Sequence, residues 1–154
     1  MRSLGPDERR TETGFAGPAT GPGMIRVLVV DDHPAVRAGL VAVLRTEPGL
    51  VPVAAAADPD GALTEARRRY PDVALVDYHL REGDGLLLCR DLKSLPTSPR
   101  VLIYSAFADD GLGPPATIAG TDGMVDKGAP TEELFERVRA VARGGTALQS
   151  LHTR

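Results

Sequence analysis

Five short apolar runs, separated by segments with helical periodicity, limit the folds that this chain can adopt. The first run, Ile25 to Val30, is continuous and rich in β-branched residues, which is typical of a strand buried on both faces. The other runs are Val51 to Ala55, Val73 to Val76, Arg100 to Tyr104 and Gly123 to Asp126. Parallel strands joined by right-handed helical crossovers carry helices on both faces of their sheet. The pattern therefore predicts an α/β fold with a five-stranded parallel sheet.

Segments with a helical repeat of apolar residues fill the connections between these runs. The first runs from about Pro34 to Thr46 and carries Val36, Leu40, Val43 and Leu44 on one face. The second directs Leu63, Ala66 and Tyr70 inward. A third helix from about Gly85 to Leu95 and a final helix after Pro130 follow later strands. These helices would cover both faces of the sheet.

Three segments depart from this pattern. Residues 1–23 are rich in glycine, proline, threonine and charge, so they bury too little apolar surface to fold, and we expect a disordered N-terminal arm. Met24, directly before the first strand, is an alternative start of translation. Glycines and prolines at 109–120 oppose a regular fourth helix, which we expect to be short or irregular. The folded domain is predicted over 24–146, with a C-terminal tail at 147–154.

Composition narrows the functional classes. The net charge is only -3, with acids and bases mixed along the chain, so no nucleic-acid surface is indicated. The single cysteine, Cys89, excludes an internal disulfide and a cysteine zinc cluster. No apolar stretch reaches membrane-spanning length, and the N-terminus lacks a signal-peptide core. A cytoplasmic protein without direct nucleic-acid or membrane binding is expected.

Polar residues follow four of the predicted strands. Asp31 and Asp32 follow the first, Asp77 the third, Ser105 the fourth and Lys127 the fifth. Ligands of parallel sheets bind at this carboxyl edge, where three close carboxylates would take up a proton or hold a hard cation such as Mg2+. With the cation bound, Asp77 can attack phosphorus while Lys127 and Ser105 contact the phosphoryl oxygens. The sequence therefore predicts an acyl-phosphate pocket.

Taken singly, each of these residues has a structural explanation as a helix cap, a turn residue, a loop hydroxyl or a surface amine. The occurrence of all these residues at one edge of the sheet favours a functional site. His33, between Asp32 and Pro34, is interpreted as a first-turn residue near the rim of the pocket rather than as a ligand.

Here the chain resembles the receiver domains of two-component response regulators over about residues 24–146. The motifs that carry the resemblance are Val27-Leu28-Val29-Val30-Asp31-Asp32-His33-Pro34, Asp77 followed by Gly83-Asp84-Gly85, Val101-Leu102-Ile103-Tyr104-Ser105-Ala106, and Asp122-Gly123 with Lys127-Gly128-Ala129. The resemblance implies a flavodoxin-like (CheY-like) sheet with strand order 2-1-3-4-5.

The resemblance also implies the role of each pocket residue. Asp77 would accept phosphate from a sensor histidine kinase. Asp32 and Asp77 would bind Mg2+ with the backbone carbonyl of His79, and Asp31 would act through water. The phosphoryl contacts would come from the Ser105 hydroxyl, the Lys127 ammonium and the backbone N–H of Ala106.

The stretch Lys127-Gly128-Ala129 and the helix from Glu133 toward Thr146 resemble most the subfamily usually joined to a LuxR-type helix-turn-helix, and we expect a receiver without that domain. The implied protein is a stand-alone or truncated receiver and not an enzyme. Its output would be contact with an unknown downstream protein, and a homodimer is compatible with this interpretation.

Two departures from the family pattern leave alternatives open. The usual proline four residues after the acceptor is Arg81, and the usual aromatic three residues before Lys127 is Met124, which puts the relay from Ser105 in question. A non-switching receiver-like binding module and a truncated DNA-binding regulator are therefore alternatives. A phosphatase of the haloacid dehalogenase kind is a third, but it needs an aspartate where this chain has His79.

Overall fold

The computed structural model describes residues 23–81, 83–106 and 120–144. The strands are β1 (Ile25–Val30), β2 (Leu50–Ala56), β3 (Val73–Asp77), β4 (His79–Leu80), β5 (Gly83–Asp84), β6 (Arg100–Ser105) and β7 (Gly123–Asp126). The helices within these ranges are α1 (Pro34–Arg45), α2 (Pro59–Arg69), α3 (Gly85–Lys93) and α4 (Thr131–Ala142). The predictions for the N-terminal arm, the fourth helix and the C-terminal tail lie outside the described residues, apart from Gly23 and Gly120.

Five strands form one parallel sheet in the order β2-β1-β3-β6-β7. β4 and β5 pair with each other as a separate antiparallel hairpin. If only the five strands of the parallel sheet are numbered along the chain, their order is 2-1-3-4-5, as the resemblance implies. Each predicted strand agrees with the observed one to within one residue at either end. The hairpin was not predicted, because two-residue strands are too short to show a periodicity.

The edge strand β2 contains a bulge at its proline. Val27 of β1 pairs with Pro52 and Leu28 pairs with Ala54, so the register shifts by one residue at Val53. Proline has no N–H to donate and is confined to edge strands and bulges. Beyond the bulge the pairing is regular as far as Val30, so the end of β1 that precedes the acidic residues is firmly held.

Two apolar layers cover the sheet. Leu28 and Val30 pack in a cluster with α2 and α3, whereas Val27 and Val29 pack in a cluster with α1 and α4. Alternate residues of one strand point to opposite faces, which explains this division. Cys89 of α3 is fully buried, and burial followed by the charge of Asp122 raises the pKa of its thiol to about 11. Among the described helices none is long and apolar enough to cross a bilayer.

One inward prediction for a helix residue is wrong, and one residue of the predicted face of α1 is exposed. Tyr70 is 59% exposed, because α2 ends at Arg69 and Tyr70 adopts a left-handed conformation with φ 50°, which takes its side chain off the helical face. Val36 is 38% exposed in the first turn of α1. There it borders a cavity of about 280 Å³ whose lining also includes Tyr104 and Lys127.

Candidate functional site

The acids predicted from the strand ends meet at the carboxyl edge of the sheet. Asp31 and Asp32 follow β1, Asp77 ends β3 and Lys127 follows β7. Ligand atoms of the three aspartates and of His33 all lie within 4.8 Å of one another. Lys127 Nζ lies 3.0 Å from Asp77 Oδ1. The structure therefore brings together the three carboxylates and the amine that the sequence places at separate strand ends.

Asp77 is at the centre of this group and is only 1% exposed. Its Oδ1 accepts hydrogen bonds from the Lys127 ammonium at 3.0 Å and from the backbone N–H of His79 at 3.2 Å. Its Oδ2 has no hydrogen-bond partner among the described residues. Burial raises the pKa of the Asp77 carboxyl, and the nearby Asp31 charge raises it further, although Lys127 opposes both effects.

Asp31 and Asp32 have different partners. The backbone N–H of His33 donates to Asp31 Oδ1 at 2.8 Å, whereas Asp31 Oδ2 is buried without a partner in the described part of the chain. The backbone N–H of Arg81 donates to Asp32 Oδ2 at 2.7 Å, and Arg81 Nε lies 3.8 Å from the same oxygen. A proline at position 81 would have no N–H to donate. The departure from the family pattern at Arg81 thus gives Asp32 a partner that the usual residue would not.

Lys127 lies between the acids and an aromatic ring. Its Nζ is 5.3 Å from the centroid of the Tyr104 ring, a distance typical of a cation–π contact. Burial lowers the pKa of Lys127, but the hydrogen bond and charge of Asp77, then the charges of Asp31 and Tyr104, outweigh that effect and raise it. The side chain is therefore an ammonium at neutral pH. Sequence reasoning missed Tyr104, although its place beside Ser105 in β6 was visible.

The remaining predicted residues surround this cluster. Ser105 is buried at the end of β6, one residue beyond Tyr104, which pairs with Asp77 in the sheet. The backbone N–H of Lys127 donates to the Ser105 carbonyl at 2.8 Å, which joins the ends of β6 and β7. Ala106 follows directly and is partly exposed. The metal role of the His79 carbonyl and the phosphoryl contacts of Ser105 and Ala106 stay predictions.

His33 belongs to the cluster more closely than the sequence interpretation allowed. Its Nδ1 lies 3.0 Å from Asp31 Oδ1, 3.0 Å from Asp32 Oδ1 and 4.0 Å from Asp77 Oδ2. Its side chain is 58% exposed, so it does lie at the rim as predicted. The sequence signal for this closeness is the position of His33 between the acids and the start of α1. His33 is the N-cap of α1, and its extended backbone (φ -93°, ψ 113°) joins the end of β1 to the helix.

In the absence of metal, the Asp77→Asn variant is expected to be more stable than the wild type at neutral pH. Its midpoint of thermal unfolding should be higher by a few degrees, which for a domain of this size corresponds to a free energy of unfolding larger by on the order of one kcal/mol. The pKa of Asp77 is raised above 3.8 in the fold, so the folded protein binds this proton more tightly than the unfolded chain does. The free energy of unfolding of the wild type therefore rises relative to that of the variant as the pH falls through the raised pKa. The stability difference between the two proteins should shrink toward acid pH. Thermal melts in EDTA across this range test the sign. A difference that grows on acidification would contradict it.

A doubly covered five-stranded parallel sheet of this order, with three acids and a lysine at its carboxyl edge, defines the receiver class of signalling domain. The chain belongs to the response regulator receiver domain family, whose model matches residues 27–139.

Two curated proteins that are similar to this chain are transcriptional regulators by name. The chain is 37% identical over 127 residues to the DNA-binding transcriptional activator DevR/DosR of Mycobacterium tuberculosis, covering 82% of this chain and 58% of that protein. It is 32% identical over 131 residues to the transcriptional regulatory protein LiaR of Bacillus subtilis, covering 82% and 60%. The chain thus spans less than two thirds of the length of these curated relatives.

A solved structure shows the same fold. The crystal structure of a LuxR-family two-component response regulator from Aurantimonas sp. SI85-9A1 matches with a TM-score of 0.74 and 30% identity, covering 80% of this chain and 88% of that chain. The predicted flavodoxin-like fold and the resemblance to the LuxR-associated subfamily are confirmed.

Proposed function

We propose that this receiver domain accepts a phosphoryl group on Asp77 from a sensor histidine kinase in the cytoplasm. The observation that carries the proposal is a buried carboxylate with an ammonium on one oxygen and no described partner on the other. In the transfer, an Asp77 oxygen forms the new P–O bond while the P–N bond of the donor phosphohistidine breaks. The Lys127 ammonium, already 3.0 Å from Asp77, would then pair with a phosphoryl oxygen.

The acidic cluster fits a hard divalent cation. Asp31 Oδ2 and Asp77 Oδ2 are buried oxygens without hydrogen-bond partners among the described residues, and such oxygens are the ligands that Mg2+ prefers. We assign Asp32, Asp77 and the backbone carbonyl of His79 as its direct ligands, with Asp31 acting through water. Bound Mg2+ supplies the positive charge that balances the carboxylates and the incoming phosphoryl group.

The other predicted groups would hold the transferred phosphoryl. The Ser105 hydroxyl and the backbone N–H of Ala106 lie at the end of β6, next along the sheet from Asp77. The phosphorylated domain would then signal by contact with a downstream protein. The chain would act as the acceptor of one phosphoryl group and not as an enzyme that turns over a substrate.

Incubation of the wild-type protein with acetyl phosphate and Mg2+ tests the acceptor role. We expect one phosphoryl group per chain by intact-mass measurement. Hydroxylamine should remove it, because it cleaves acyl phosphates, and EDTA during the incubation should prevent its formation. A protein that gains no adduct under these conditions contradicts the proposal.

Met124 favours a second candidate, a receiver that binds partners without switching. Its side chain is 4% exposed and packs in the α2 and α3 layer, where the family usually has the aromatic of the relay. This candidate expects amide exchange to be nearly the same with and without beryllofluoride. A large change in protection on adding beryllofluoride would exclude it.

A further inference from the structure

The acidic pocket contains a nitrogen donor that oxygen-only coordination of Mg2+ does not use. His33 Nδ1 lies at 3.0 Å from oxygens of both Asp31 and Asp32 and at 4.0 Å from Asp77 Oδ2. These four residues form a set whose ligand atoms are close enough to share one ion. The imidazole nitrogen at the rim is thus close enough to the carboxylates to share an ion with them.

The distances from His33 Nδ1 to the metal-binding carboxylates are those of ligands that could share one ion. Ligands at about 2.1 Å from a metal are about 3 Å apart when adjacent and about 4.2 Å apart when opposite. The 3.0 Å contact of His33 Nδ1 with Asp32 Oδ1 and its 4.0 Å separation from Asp77 Oδ2 both fall in this range, whereas Asp31 Oδ1, also at 3.0 Å, keeps the water-mediated role assigned to Asp31.

Unpartnered oxygens point independently to a ligand at this place. Asp31 and Asp77 have fully buried side chains, and each has one oxygen without a hydrogen-bond partner among the described residues. Buried charged oxygens left in this state are costly unless a cation meets them. An ion that meets Asp77 Oδ2 directly and Asp31 through water would lie within reach of His33 Nδ1.

We propose that His33 ligates the metal through Nδ1 and that the pocket binds a divalent first-row transition ion more tightly than Mg2+. Imidazole nitrogen suits ions such as Zn2+ and Ni2+, whereas Mg2+ takes oxygen ligands. The His33 side chain is 58% exposed, so coordination through Nδ1 does not require a buried partner for the other ring nitrogen. The inference rests on the same pocket as the proposed function but concerns the identity of its ion.

A hydrogen-bonding role for the imidazole is the competing explanation. Nδ1 is within hydrogen-bond distance of Asp31 Oδ1, so the ring could serve only to hold that carboxylate. In that case removing the ring would leave the preference between metals unchanged.

Isothermal titration of the full chain with Ni2+ and, separately, with Mg2+ distinguishes the two explanations. His33→Asn keeps an oxygen donor and a good helix N-cap but removes the nitrogen, and His33→Ala removes both. Both variants should fold, because His33 is exposed and makes no side-chain cap hydrogen bond. We expect the Ni2+ affinity to fall by about tenfold or more in each variant, while the Mg2+ affinity changes much less. A large excess of Mg2+ should displace Ni2+ from the wild type.

Unchanged Ni2+ affinity in both variants would overturn the inference, as would equal losses for Ni2+ and Mg2+ or a failure of Mg2+ to compete. The acetyl phosphate test in Mg2+ is independent of these results. An adduct without His33-dependent Ni2+ binding would defeat this inference alone. His33-dependent binding without an adduct would defeat the acceptor role alone.

Discussion

Asp77→Asn should eliminate the phosphoryl adduct that wild-type protein forms with acetyl phosphate and Mg2+. The amide has nearly the shape of the carboxylate, so packing at the end of β3 is retained, but it is not a nucleophile toward phosphorus. Removal of a nucleophile typically slows a covalent step by more than about a thousandfold. Intact-mass measurement over matched incubation times should therefore detect no phosphoryl group on the variant.

Asp58→Asn is the matched control for this substitution. Asp58 follows β2 at the same edge of the sheet and caps α2 by accepting a hydrogen bond from the Gly61 N–H at 2.7 Å. Asparagine caps helices about as well as aspartate, so this variant loses the same charge without losing the cap. It should form the adduct at the wild-type rate. An adduct that persists in Asp77→Asn, or equal losses in both variants, would remove Asp77 from its assigned role.

The sheet and the acidic cluster could be predicted from the sequence because both depend on short-range patterns. Apolar runs mark buried strands, and the carboxyl ends of parallel strands share one edge. Asp31 and Asp77 are far apart in sequence, but the pairing of β1 with β3 makes them neighbours. The strand order that places β1 beside β3 was implied by the resemblance to receiver domains, and with that order the proximity of the three acids follows from the strand ends.

The details that were missed depend on three-dimensional geometry. The position of His33 over the acids follows from the angle at which the chain leaves β1 and enters α1, which periodicity does not encode. The exposure of Tyr70 follows from a left-handed residue at the end of α2, where sequence gives the helix end only to within a few residues. The partner that Arg81 gives Asp32 depends on a loop that returns across the pocket.

Gly85 is another such detail, and it connects the fold with the site. It is buried at the start of α3, and its N–H donates to the Tyr78 carbonyl at 2.7 Å. A Cβ at this position would lie 3.0 Å from Tyr78 Cα and 3.2 Å from the Asp77 carbonyl carbon, and closer still to the Asp77 carbonyl oxygen. These contacts are with backbone, so no side chain can rotate to relieve them.

Gly85→Ala should therefore destabilise the fold and displace Asp77 at the same time. Overpacking of a rigid site typically costs about 1–3 kcal/mol, and contact with backbone places this case at the upper end. We expect a clear fall in the urea midpoint and a slower phosphoryl adduct at temperatures where the variant is still folded. Displacement of the Asp77 backbone should move its carboxylate away from Lys127 Nζ.

Gly39→Ala is the matched control for Gly85→Ala: the substitution is the same, but the expected change in stability has the opposite sign. Gly39 is an exposed residue in the interior of α1, and a Cβ there would meet nothing within 4 Å. Alanine in place of glycine inside a helix stabilises by roughly 0.5–1 kcal/mol, so this variant should unfold at a higher urea concentration than the wild type. Its adduct rate should be unchanged. If Gly85→Ala matched Gly39→Ala in stability and in adduct rate, the close approach of α3 to the Asp77 backbone would have no part in positioning the acceptor.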